Sequence, residues 1–318
     1  KYMLKKMIRT KEDLKFPEFD DIKVSTKTYT ATTNLDIQIK ELYEKLPITP
    51  YTVIAKKRGR KKKCDVVDPN TDIEVGSIVT IKCEGQLRGV ELKPKKAKPT
   101  NKQKWFRNSI TIVIILDKPI NFKICRNGTF QMTGCKTHEH AELCIKYIWK
   151  YIQDDKSLYT FRTGDILECL FIPSMRNIDF SLGFIVDREK LNKYMSEQQK
   201  FHCLLETSFG YTGVNIKIPI THDIATMEVK KVHCGKDKVW SEKWTTYQEY
   251  LDTLSEKERN IKLNTPRYNT FLVFHSGKCI SSCLTATFMR DTYYYFLEIM
   301  RECYDQIEER LDESIIKE

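Results

Sequence analysis

Cys135, His138, His140 and Cys144 fall within one short stretch, TGCKTHEHAELC, and are residue types that hold zinc. Their placement argues against it. Cys144 lies on an apolar stripe with Ala141, Ile145, Ile148 and Ile152, so a helix would bury it, while His138 and His140 would sit at its exposed start. Cys279 with Cys283, and the neighbours His202-Cys203 and His233-Cys234, fit a metal no better. The chain also shows no phosphate-binding glycine loop, no Gly-x-Ser-x-Gly and no His-Glu-x-x-His. No metal, cofactor or catalytic residue is expected, and no enzyme.

The other chemistry is cationic. Of the net charge of +11, a net +9 comes from the stretch between Lys56 and Lys104, with 15 Lys and Arg against 6 acids. From Glu298 onward there are 8 acids and 3 bases. A basic segment set against an acidic end suggests a polyanion partner on one side and a basic protein partner on the other; a solvated loop is the plain alternative. Within KKRGRKKK, Lys56, Lys57, Arg58, Arg60, Lys61, Lys62 and Lys63 are candidate auxiliary DNA contacts. Arg58-Gly59-Arg60 is similar to the core of an AT-hook without its prolines, and a generic phosphate-binding or nuclear-import patch is the competing reading.

Two similar hairpins position the remaining candidates. KICRNGTFQMTGC (123–135) and LVFHSGKCISSC (272–283) each join an apolar run to a second short strand through a turn centred on Gly128 or Gly277, and a helical pattern follows each. Residues 1–20 read as an N-terminal arm. A strand at 22–30, a helix over 35–46, strands at 76–83 and 85–93, a buried strand at 110–116, the hairpin and a helix over 137–152 make a first repeat, 21–160, with a basic insertion at about 53–104. Strands at 165–172 and 177–184, a short helix capped by Asp187, a strand at 211–220, the hairpin and a helix over about 286–311 make a second, 161–318. It carries an insertion at about 221–267, with a strand near 225–232 and a helix near 246–254. No apolar run is long enough to span a membrane, and the eleven cysteines lack disulfide-like pairing, so a soluble intracellular chain with reduced thiols is expected.

Alternation assigns the faces of these strands. Val214, Ile216 and Ile218 point one way; Tyr211, Gly213, Asn215 and Lys217 point the other. Phe122, Ile124, Phe130 and Met132 point inward, whereas Asn121, Lys123, Cys125, Thr129, Gln131 and Thr133 point out. In the second hairpin Thr270, Leu272 and Phe274, then Lys278, Ile280 and Ser282, share the outer face. Such an exposed apolar row marks an interface, unless a second layer covers it.

These segments resemble the TATA-box-binding protein (TBP) family. NTFLVFHSGKCISS and FKICRNGTFQMTGCK are similar to its two hairpins, RNIDFSLGF to its Asn-Ile-Val strand and SFGYTGVNIKI to its Phe-Pro-Gly strand. The form FRNSITIVI…INFKICRNGTFQMTGCK is closest to the divergent versions of nucleocytoplasmic large DNA viruses. The resemblance implies an α+β fold: two pseudo-symmetric TBP-like repeats forming a saddle-shaped antiparallel sheet, helices on the convex face, each repeat with an insertion. It implies a non-enzymatic transcription initiation factor that binds AT-rich double-stranded DNA through the minor groove and wedges aromatic rings into base steps. Carried over by motif, Phe274 and Tyr211 form the second repeat's wedge pair, with Phe209 competing for Tyr211; Asn177 is the central Asn, Leu272 and Ser282 line the groove floor, and Lys217 meets phosphate, while Ile280 of the exposed apolar row is a further DNA-binding candidate.

In the first repeat Phe106 matches a wedge, Cys125 stands where its partner should, Lys123 replaces a groove-floor Leu, Thr133 is kept, and the central Asn position falls on Ile22. The implied binder is lopsided, with Lys123 and Gln131 making polar and cationic contacts. Implied partners are a TFIIB-like transcription factor and an RNA polymerase, met through the acidic end and the second insertion, in host cytoplasm (viral factory), virion or host nucleus, with no membrane. A DNA-repair protein carrying the same fold and a protein-interaction scaffold are the alternatives.

Overall fold

The computed structural model describes residues 10–53, 69–92, 107–206 and 212–309. In chain order its elements are β1 (Val24–Thr33), β2 (Leu35–Ile37), α1 (Ile39–Lys45), β3 (Ile78–Cys83), β4 (Gln86–Gly89), β5 (Ser109–Ile115), β6 (Pro119–Cys125) and β7 (Thr129–Cys135). Then come α2 (His138–Ile152), β8 (Tyr159–Phe161), β9 (Leu167–Ser181), α3 (Arg188–Glu197), β10 (His202–Glu206) and β11 (Gly213–Pro219). The chain continues through β12 (Glu228–Cys234), β13 (Trp240–Thr246), α4 (Tyr247–Asp252), α5 (Glu256–Asn264), β14 (Tyr268–Phe274), β15 (Lys278–Cys283), α6 (Ala286–Glu302) and α7 (Tyr304–Ile307). The fold is α+β. Among the described residues no helix is long and apolar enough to cross a membrane.

Two compact units form. One, the Gly128 unit, holds 27–172 and 228–245; the other, the Gly277 unit, holds the described residues up to 26, then 173–227 and 246–309. In the Gly128 unit the antiparallel sheet runs β4-β3-β5-β6-β7-β1, and α1 and α2 pack on one of its faces. In the Gly277 unit it runs β10-β11-β14-β15-β9, under α3 and α6. Setting β4 aside, the two orders match strand for strand, with β3, β5, β6, β7 and β1 answering to β10, β11, β14, β15 and β9.

The correspondence reaches single hydrogen bonds. Thr33 N–H donates to the Gly128 carbonyl at 3.1 Å and Leu182 N–H to the Gly277 carbonyl at 2.8 Å. Ile37 N–H donates to Arg126 O and Val186 N–H to His275 O, at 2.7 and 2.9 Å. Both turn glycines have φ near +70° (+67° and +72°), a region that costs a side chain energy. A Cβ on Gly128 would overlap the Leu35 carbonyl oxygen, and one on Gly277 that of Phe184. Each hairpin turn is thus pressed against the segment that follows the unit's first strand.

The inward rows make the cores. Phe122, Ile124, Phe130 and Met132 are buried under α2 with Ala141, Cys144, Ile145, Ile148 and Ile152. Phe271 stacks on Phe296 of α6 at 4.1 Å, and Val214, Ile216 and Val273 are fully buried. Asp187 caps α3, its carboxylate accepting from Glu189 and Lys190 N–H at 3.1 Å.

Several sequence expectations are corrected. The stretch 35–46 opens as strand β2, paired with β8, and only then turns helical; the buried stripe Leu35, Ile39, Leu42 and Leu46 serves both. The strands expected at 165–172 and 177–184 are one, β9, because the backbone stays extended through Pro173. The last helix ends at Glu302, and α7 follows after Cys303. The described part of the arm is docked: Phe19 packs on Tyr293 at 5.5 Å, Tyr293 donates to Pro17 O at 2.6 Å, and Arg290 holds the Asp20 carboxylate. Strand β3, inside the stretch expected to be an insertion, pairs directly with β5 as β10 does with β11. From the second insertion, β12 and β13 fold with the Gly128 unit, where β12 pairs with the first half of β9.

Candidate nucleic-acid interface

With helices packed on one sheet face, the opposite face of each unit is the surface left to bind. In the Gly277 unit registration brings Leu204, Asn215, Leu272, Ile280 and Asp179 into one cross-strand row. The next row is His202, Lys217, Thr270, Ser282 and Asn177. Phe274 stands opposite Gly213, where the missing side chain leaves room for Leu272, whose Cδ1 lies 2.8 Å from where a Cβ would be. Asn177, Leu272, Phe274, Ile280 and Ser282 are half-buried and Lys217 is exposed, while their strand neighbours point into the core.

Two polar atoms on this face lack partners. Asn177 Oδ1 and Asn215 Oδ1 are buried without a hydrogen bond among the described residues. A buried amide oxygen left unpaired is costly, and on a binding face it marks a place where a ligand can complete the pairing. Asn215 was assigned to the polar side by alternation but not singled out; its orphaned amide is the signal.

The Gly128 unit presents a different surface. Lys82, Thr111, Lys123, Gln131 and Thr30 form one row, and Val113, Asn121 and Thr133 the next. Thr133 donates to the Asn121 carbonyl at 3.2 Å, Lys123 and Cys125 are half-buried, and Gln131 is exposed. The constant offset of 149 residues sets Cys125, Lys123, Gln131 and Thr133 where the other unit has Phe274, Leu272, Ile280 and Ser282. The same offset corrects Ile22: it is buried ahead of β1, and the counterpart of Asn177 is Thr28, at the β1 bulge between Lys27 and Tyr29. Phe106, Phe209, Tyr211 and the basic residues Lys56, Lys57, Arg58, Arg60, Lys61, Lys62 and Lys63 lie outside the described residues.

The zinc-type residues are spent on packing. Burial drives the Cys135 thiol up to about 11 and Cys144 well above its usual range. His140 accepts from Lys136 N–H at 3.2 Å. His138 sits among Tyr29, Phe171 and Trp244. Among the described residues no group of three or more His, Cys, Asp or Glu is placed to hold a metal, and the ten described cysteines are free thiols.

No protein-family model matches the chain. A protein of Invertebrate iridescent virus 6 named as uncharacterized protein 335L is 26% identical over 206 residues, 62% of this chain and 61% of its own length. A protein of Acanthamoeba polyphaga mimivirus named TATA-box-binding protein-like is 27% identical over 235 residues, 65% of this chain and 56% of its own. The chain therefore spans less than two thirds of either relative. Among solved structures, Methanococcus jannaschii TBP aligns with 89% of this chain and 98% of its own, at 13% identity and a TM-score of 0.42. The doubled strand order thus belongs to a chain that is similar, over part of its length, to a viral protein named TATA-box-binding protein-like.

Proposed function

We propose that the chain is a DNA-binding transcription initiation factor whose helix-free sheet faces dock on the minor groove of AT-rich promoter DNA. The observation that carries this reading is the half-buried row Phe274, Leu272 and Ile280 beside Lys217 and the unpaired amides of Asn177 and Asn215. Apolar side chains suit a groove floor and can wedge into a base step, amides meet base edges, and the lysine meets phosphate. Phe274 is the wedge in the Gly277 unit, with Tyr211 or Phe209 beside it. Leu272, Ile280 and Ser282 line the floor, and Asn177 contacts bases.

The Gly128 unit binds without an aromatic at Cys125, through Lys123, Gln131 and Thr133. The segment Lys56–Lys63 adds phosphate contacts and steepens the salt dependence. No catalysis is assigned. The protein-facing surfaces, for a TFIIB-like factor and through it an RNA polymerase, are the acidic C-terminal end and the inserted α4–α5 pair, where Ile261 and Leu263 are exposed. Binding to an AT-rich duplex, compared with a GC-rich duplex of equal length, tests the reading by fluorescence anisotropy. A clear preference for the first is expected, and equal or absent binding would contradict it.

A further inference from the structure

Beside Cys125, at the turn end of the Gly128 sheet, lies a recess of about 710 Å³. Arg107, Asn108, Cys125, Arg126, Asn127 and Gln131 are among its lining residues. Counting along the paired strands explains its place. Ser109 pairs with Cys125 as Gly213 pairs with Phe274, so Arg107 falls at the position of Tyr211, two residues ahead of the strand. The two positions assigned above to the aromatic wedge of the Gly277 unit are thus a small thiol and an arginine in the Gly128 unit, with an open cavity next to them.

The recess is cationic by construction. Arg107 and Arg126 are exposed, and neither guanidinium hydrogen bonds to, or pairs with, a described residue. The backbone of Arg126 is fixed on both sides, its N–H donating to Asn108 O at 3.0 Å and its carbonyl accepting from Ile37 N–H at 2.7 Å. Asp36 supplies the one carboxylate among the lining residues, and Arg162 already holds it at 2.8 Å. In the other unit the counterpart of Arg126 is His275, which is engaged by Glu309 at 2.6 Å. Two free guanidiniums beside amide groups suit phosphate oxygens, which they can grip in forked pairs.

We propose that this recess is a phosphate subsite for duplex DNA, Arg107 and Arg126 each taking a phosphodiester of the strand that crosses the Gly128 sheet. The assignment rests on the DNA-binding reading and deepens it: the Gly277 unit wedges the duplex, and the Gly128 unit grips its backbone. The test is the salt dependence of duplex affinity for the full chain and for Arg107→Gln with Arg126→Gln. Each phosphate contact contributes about 0.9 to the slope of log affinity against log salt, so the double variant loses about 1.8 and each single variant about half of that. Melting temperature is expected to stay unchanged, because both side chains are exposed.

An unaltered slope in a variant that still binds duplex overturns the subsite and leaves the DNA-binding reading standing. Absence of duplex binding by the unmodified chain overturns both. Deoxyadenosine monophosphate titrated alone separates the remaining source. Tight binding abolished in the double variant, with the duplex slope intact, would make the recess a free-nucleotide site and contradict the proposal.

Discussion

Phe274 and Cys125 occupy the same position in two copies of one hairpin: each ends the first strand, three residues before a glycine with positive φ. The aromatic ring in one copy and the small thiol beside a cavity in the other make the helix-free faces of the two units unequal. Because the space beside Cys125 is open, Cys125→Phe is expected to fit at little cost to stability. It should add a second bend to bound AT-rich duplex, read as an increase in energy transfer between end labels over the unmodified protein.

The turn glycines are predicted to be the least replaceable residues of either hairpin. Left-handed backbone costs a side chain about 1–2 kcal/mol, and at Gly128 and Gly277 a Cβ also overlaps a backbone carbonyl that cannot swing aside. Gly134 has φ +77° with nothing near its Cβ position. Urea denaturation is expected to show Gly134→Ala losing about 1 kcal/mol, and Gly128→Ala and Gly277→Ala losing at least about twice that.

Lys230, on β12, is buried and reaches Glu142 of α2 at 2.5 Å and Glu242 at 2.7 Å. Burial opposes its charge, but those carboxylates prevail and raise its pKa above the usual 10.5, so the lysine is charged at neutral pH and gives up its proton only in strong alkali. Lys230→Met leaves the buried Glu142 with Lys146 and His138 as its cationic neighbours among the described residues, at a cost of about 3 kcal/mol. Adding Glu142→Leu should recover most of that loss in a thermal melt, since an apolar pair replaces an unpaired charge.

Acid is predicted to weaken the Gly128 unit through His138. Its ring is boxed by Tyr29, Phe171 and Trp244, and burial pulls its pKa below 6.5, against the opposing pull of Glu142. A depressed pKa means that the unfolded chain takes up the proton first. Stability is therefore full above pH 6.5 and falls as the pH drops toward the folded value. His138→Phe keeps the aromatic box and removes this component, so its melting temperature should fall less than that of the unmodified chain between about pH 7 and 5.5.

Period-two alternation made the hairpins and the facing of Leu272, Phe274, Lys123 and Gln131 legible, because one side of each strand is dry. Strand β13 was not legible: WSEKWTT is exposed along most of its length and shows no apolar rhythm. Nor could local pattern say that β12 leaves the second repeat to pair Lys230 with Phe171, since that pairing joins residues distant in sequence. The two strands expected at 165–172 and 177–184 run on as one because Pro173, between them, suits extended backbone. Of the interface, the apolar row could be read from the sequence. The recess at Arg107 and Arg126 could not, because it depends on which turn and which strand start lie together in space.

Energy transfer across an end-labelled AT-rich duplex tests the central claim most directly. Binding of the unmodified chain is expected to bring the labels together, Phe274→Ala to lose more than about half of that change while still binding, and Cys125→Ala to leave it intact. No change in transfer on binding, or equal effects of Phe274→Ala and Cys125→Ala, would contradict the account.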